Sequence, residues 1–152
     1  MTAPLSRSHG YAPWVKLAEI KDLGPVAALV QRQVDDLGAV EMAAQVIRGS
    51  DVRRMRILVA TDLGVLDYSY AASSGEADAP WHLRGTLVRW PAVHGLRLQT
   101  DAQLGDRTQA AKHVWRFVVE DPKFELVAEV GADARTTAAM LEFARACLER
   151  AG

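Results

Sequence analysis

Residues 114–130 read VWRFVVEDPKFELVAEV, and this stretch decides the class of fold. Its second half alternates. Phe124, Leu126, Ala128 and Val130 are separated by Glu125, Val127 and Glu129. A period of two places the first four side chains on one face of a sheet. Its first half, Val114 to Val119, is aromatic and β-branched, which suits a pleated surface. Asp121-Pro122-Lys123 stands between the halves. Proline cannot donate to a ladder and presets a turn. The stretch reads as a β-hairpin.

Upstream the same grammar recurs. Arg56–Ala60 and Val65–Tyr70 form a second hairpin across Thr61-Asp62-Leu63-Gly64, where glycine and aspartate suit a tight turn. Trp81–Trp90 alternates loosely, with Trp81, Leu83 and Leu87 on one side. Gly95–Thr100 alternates cleanly. Gln45–Arg48 completes seven strands, with its start blurred by the helix-favouring Met42-Ala43-Ala44. The segments 72–78 and 101–109 read as loops.

Two helical pieces flank the strands. After Gly131, Asp133 is a good N-cap. Thr137, Met140, Leu141, Ala144, Cys147 and Leu148 then recur at three- and four-residue spacing. Arg135, Glu142, Arg145 and Glu149 fall opposite, and Phe143 lies at the edge. This stripe is expected to cover the sheet, with Met140, Ala144, Cys147 and Leu148 facing Phe124, Leu126 and Ala128. Before the strands, Pro25 suits a first helical position and Gly38 a helix end. Val26, Leu29, Val30, Val34 and Leu37 form a stripe between them. Trp14–Leu23 reads as a shorter helix. The chain divides into a loose arm at 1–13, a helical segment at 14–40 and the main domain at 41–152.

The bulk numbers bound the function. At 152 residues and 49% apolar content, the chain fits one domain with a real core. A net charge of −1 provides no global field for nucleic acid or membrane. The single cysteine excludes an internal disulfide, and its place in a helical stripe marks a buried, inert thiol. No secretory signal and no span of roughly 20 apolar residues is legible. The expected location is the cytoplasm, at most peripheral to a membrane.

The local sequence also resembles bacterial pleckstrin-homology-like (PH-like) domains over about residues 41–150. The resemblance is carried by Val46-Ile47-Arg48-Gly49, then Ile57-Leu58-Val59-Ala60-Thr61-Asp62, then Gly64-Val65-Leu66. It implies a mainly β fold, a seven-stranded barrel capped by a C-terminal helix. The N-terminal helical segment is extra to that pattern. The tryptophan common in the last helix of eukaryotic PH domains is absent, which leaves its packing role to Phe143. Such domains mostly hold lipids, peptides or copies of themselves, so the resemblance implies a non-catalytic interaction module.

Several constellations are candidates for a site. Arg48, Arg53, Arg54 and Arg56 cluster at the first inter-strand loop. The resemblance implies that basic residues at the places of Arg48, Arg54 and Arg56 could hold a phosphate or anionic headgroup. Guanidinium forks suit such oxyanions. Four such charges near an anionic surface are worth only about 4 kcal/mol, roughly millimolar affinity. Asp51 weakens the cluster further. For protein contact, Val26, Leu29, Val30 and Val34 could bury their stripe on the chain's own strands or on a partner.

Other groups favour a structural role. His9, His82, His94 and His113 lack metal spacing, although His82 and His94 could meet across adjacent strands. Asp62 and Asp67 flank a turn, and a turn aspartate needs no chemistry. Trp81, Trp90 and Trp115 lie on strands among arginines, but the balanced charge argues against nucleic acid. No nucleophile elbow, dinucleotide fingerprint or P-loop occurs. No catalytic residue, metal or cofactor is expected. The expectation is a PH-like module for a protein partner or a homo-oligomer, with an anionic membrane surface as the alternative.

Overall fold

The computed structural model describes residues 16–17, 20, 23–48, 54–72, 80–105, 110–131 and 134–151. The arm at 1–13, most of the Trp14–Leu23 segment, Gly49, Arg53, the segment 73–78 and the Asp133 cap lie outside them. Among the described residues seven strands follow one α-helix and precede another. Helix α1 is Pro25–Asp36. The strands are β1 Glu41–Arg48, β2 Arg54–Thr61, β3 Gly64–Ala72, β4 Trp81–Arg89, β5 His94–Leu104, β6 Ala110–Asp121 and β7 Phe124–Glu129. Helix α2 is Ala134–Ala151. Among the described residues the fold is mainly β.

The strands form two antiparallel meanders, β1-β2-β3-β4 and β5-β6-β7. Among the described residues no ladder joins them, so the expected closed barrel is replaced by two open sheets. The break has a local cause. Trp90 begins a 3₁₀ turn, Trp90–Ala92, instead of ending a strand as its alternation suggested. Pro91 lacks the N–H that a ladder would use. The Trp90 side chain is buried, and its indole Nε1 donates to the Thr61 carbonyl at 2.9 Å. That bond ties the sheet corner to the β2–β3 turn.

The first sheet is covered on both faces, which explains the unbroken apolar run Ile57–Ala60. Ile57 and Val59 face α1, in a cluster with Val26, Val30, Val34, Ala44, Leu66 and Tyr68. Leu58 and Ala60 face the other way, toward Phe117, Val119, Phe124 and Leu126 of the second sheet. β1 starts at Glu41, four residues before the expected Gln45. Ala43 and Ala44 are both buried, one in each cluster. Burial on two faces outweighs their helical propensity.

α1 ends in a Schellman motif. Gly38 takes φ 69°, its N–H donates to Asp35 at 2.9 Å, and the Ala39 N–H donates to Val34 at 3.1 Å. The β2–β3 turn is stapled by Thr61. Its hydroxyl donates to the Gly64 carbonyl at 2.9 Å and accepts from Leu63 and Gly64 N–H. Gly64 has no room for a side chain, because a Cβ there would lie 2.2 Å from the Val88 carbonyl oxygen.

α2 closes the core between the sheets. Ala139, Met140, Phe143, Ala144 and Cys147 are buried. The Phe124 ring meets Phe117 and Phe143 edge-on, at 6.1 and 6.2 Å between centroids. Two sequence expectations are corrected here. Phe143 is central, with no exposure, while Leu148 is 40% exposed. At 3.6 residues per turn Leu148 lies roughly 140° around the helix from Phe143, beyond the buried arc.

Candidate functional site

Of the arginine cluster, the three described members do not share one face of the sheet. Arg48 pairs with Met55 across β1 and β2. Cross-strand partners share a face and neighbours along a strand alternate. Arg48 therefore lies on the face of Met55, toward α1. Arg54 and Arg56 lie on the opposite face. Arg56 is also committed elsewhere. Its Nε and Nη2 donate to the two Asp67 oxygens at 2.8 and 2.7 Å, and its guanidinium sits 5.8 Å from the Phe124 ring centroid. The paired hydrogen bonds to Asp67 raise the Arg56 pKa above its ordinary value, against the opposing effect of burial. Arg53 lies outside the described residues. Arg48, Arg54 and Arg56 therefore offer no common strand face to a single phosphate.

Arg56 is thus a link in the fold. Replacing it by Ser is expected to lower stability by about 1–3 kcal/mol, because Asp67 loses both charge-assisted donors while partly buried. Urea unfolding of Arg56→Ser beside Arg54→Ser checks this. Equal, negligible losses would show that the pair contributes nothing.

The N-terminal stripe packs in cis. Val26, Val30 and Val34 are 6%, 0% and 1% exposed, inside the α1-facing cluster. Of the four residues expected at an interface, only Leu29 remains on the surface. The reason is the first sheet's outer face, which needs a cover of its own. The acids are also structural. Asp62 Oδ1 accepts from the Val40 N–H at 2.7 Å, locking the link between α1 and β1. His82 lies near the start of β4 in one sheet and His94 opens β5 in the other, so they are not ladder neighbours. His94 Nε2 instead lies 3.4 Å from Asp121.

Cys147 has no exposure, and burial pushes its thiol up to about 12. Burial raises the Tyr68 phenol as well. In the unfolded chain the thiol ionises near 9.0. The folded form keeps its proton longer, so the stability this supplies is whole below about pH 9 and is lost as pH rises toward about 12. Tyr68 acts with the same sign. Urea midpoints are expected to fall above about pH 9, less steeply in Cys147→Ala. Thiol labelling should track unfolding; fast labelling of the folded protein would contradict this.

Described residues line two open clefts. One, of about 340 Å³, lies between the start of β5 and the end of α2, lined by Val93, His94, Gly95, Leu96, Leu148 and Ala151. The other, of about 260 Å³, is lined by Gln99, Thr100, Asp101 and Arg116. The first is apolar without converging polar groups; the second is a polar trough on a strand surface. Among the described residues no cluster of His, Cys, Asp and Glu could hold a metal. No helix among them is long and apolar enough to cross a membrane.

The trough belongs to the most exposed part of the fold. Residues 101–104, expected in a loop, extend β5 to Leu104, paired with β6 from His94↔Asp121 to Leu104↔Ala110. From Arg97 onward every β5 residue is exposed. The arm carries Leu98 at 37% and Leu104 at 72% exposure on one face. Arg97, Gln99, Asp101 and Gln103 alternate onto the other. There Arg116 pairs with Glu125. Thr100 Oγ1 and His113 Nε2 meet at 3.0 Å across the strands. β5 is an edge strand, with its outer row of backbone groups unpaired among the described residues. Sequence reasoning missed this arm because, beyond Thr100, only Ala102 and Leu104 stand against the polar Asp101 and Gln103, too short a pattern to separate a strand from a loop. The only signal was Leu98 and Leu104 in register.

Compared with known families, curated proteins and solved structures, the chain finds no match in any of the three.

Proposed function

We propose that the chain is a PH-like, non-catalytic interaction module that binds protein, using the β5 edge of its second sheet. The order of elements supports the PH-like reading. A four-stranded meander, a three-stranded meander and a closing helix follow one another, over the segments that resemble bacterial PH-like domains. The helix α1 is an addition that covers the first sheet. The single observation that carries the function is β5 itself. It is an eleven-residue edge strand, exposed over most of its length. Such an edge accepts a further strand, with backbone hydrogen bonds for affinity and alternate side chains for specificity.

A photo-crosslinking residue at Gln103, introduced in living cells, tests this. The expected result is a covalent adduct with a protein, another copy or a different chain. An absence of protein adducts, with salt-sensitive cosedimentation on anionic vesicles that Arg54→Ser abolishes, would overturn the reading in favour of an anionic headgroup.

A further inference from the structure

The β5 edge has a symmetric charge pattern. The strand reads His94-Gly-Leu-Arg-Leu-Gln-Thr-Asp-Ala-Gln-Leu104. Arg97 and Asp101 stand two residues before and after Gln99, on the same face. Among the described residues neither takes part in an ion pair.

We infer that β5 pairs with β5 of a second copy, antiparallel about a two-fold axis at Gln99, which rests on the module reading above. In that register Arg97 lies opposite Asp101 of the second copy, and Asp101 opposite its Arg97. Opposite charges directly across an antiparallel pair are favourable, and the two-fold doubles the gain. On the other face Leu98 lies opposite Thr100, Leu96 opposite Ala102 and His94 opposite Leu104. The exposed Leu98 and Leu104 then join one continuous surface. The product is a six-stranded sheet with no ladder edge left at β5.

The other three edges fit a second copy less well. α2 packs more closely against β1 and β7 than against β5, which it meets only near the start of the strand. β4 carries Arg84, Arg89 and His82 with no carboxylate between Trp81 and Arg89, so two copies of it bring like charges together. β5 has neither proline nor lysine to guard its edge, and the one irregularity in its ladder with β6 lies at the far end, between Gln103 and Leu104.

Light scattering of the full chain at tens of micromolar and low salt tests the pairing. The wild type is expected at twice the monomer mass. R97D places two carboxylates opposite each other at both symmetry-related positions, and D101R places two cations there. Each is expected to weaken dimerisation about tenfold or more. The double variant R97D/D101R rebuilds the complementarity with signs exchanged and is expected to dimerise like the wild type. Both positions are exposed in strand, so far-ultraviolet circular dichroism should show the same fold in all the variants. A wild-type monomer overturns the inference, and so does a dimer indifferent to the single reversals or one the double variant fails to restore. If the wild type is monomeric but Gln103 still crosslinks to a different protein, the second copy is wrong while the module reading stands. If nothing crosslinks there, both fall.

Discussion

Truncating Phe143 to Ala is expected to lower stability by about 3–5 kcal/mol, the range for a fully buried aromatic whose loss leaves a cavity. Phe143 has no exposure and meets Phe124 edge-on at the centre of the shared core. Met140, Ala144 and Cys147 pack beside it and cannot close a ring-sized gap. Leu148→Ala on the same helix is expected to cost under about 1 kcal/mol, because Leu148 already meets solvent. Urea unfolding of the two variants side by side reads the rotation of α2 directly. A Leu148 loss as large as that of Phe143 would mean that the helix docks through a different face.

Val30→Asp should be more damaging still. Val30 has no exposure and sits between α1 and the outer face of the first sheet. A carboxylate there has no partner, and burying it costs several kcal/mol, about 4 or more. The expected outcome is an unfolded or aggregated chain. Leu29→Asp, one residue earlier, changes a surface position that is 46% exposed, so its stability should stay within about 0.5 kcal/mol of wild type. Circular dichroism and light scattering on both variants decide between packing in cis and in trans. A folded Val30→Asp protein of lower mass would show that the stripe had been holding a second copy.

These contrasts trace where local pattern was enough. Phe124, Leu126 and Ala128 alternate with Glu125, Val127 and Glu129, and all three even positions are buried while the odd ones are exposed. One covered face and one wet face leave a period-two signal in the residues themselves. The same logic made the Thr61–Gly64 hairpin and the helices at Pro25 and after Gly131 legible. It failed at β1, where Ala43 and Ala44 look helical and are strand, because sheet contacts on both faces decide. It failed also at Phe143 and Leu148. Spacing defines a stripe on a helix, but the facing surface selects which part of the arc is buried.

The candidate site was less legible for a related reason. Arg48, Arg54 and Arg56 are close in sequence, yet strand alternation and the β1–β2 register send them to opposite faces. The sequence by itself determined the number of strands, the antiparallel hairpins, the two amphipathic helices and the inert burial of Cys147, because each depends on contacts along a few residues. The tertiary structure alone decided that the sheets stay open and that α1 covers the first sheet. It also decided that Arg56 belongs to Asp67 and that β5 is left as a bare edge. Those outcomes depend on which surfaces meet, and residues far apart in the chain settle that together.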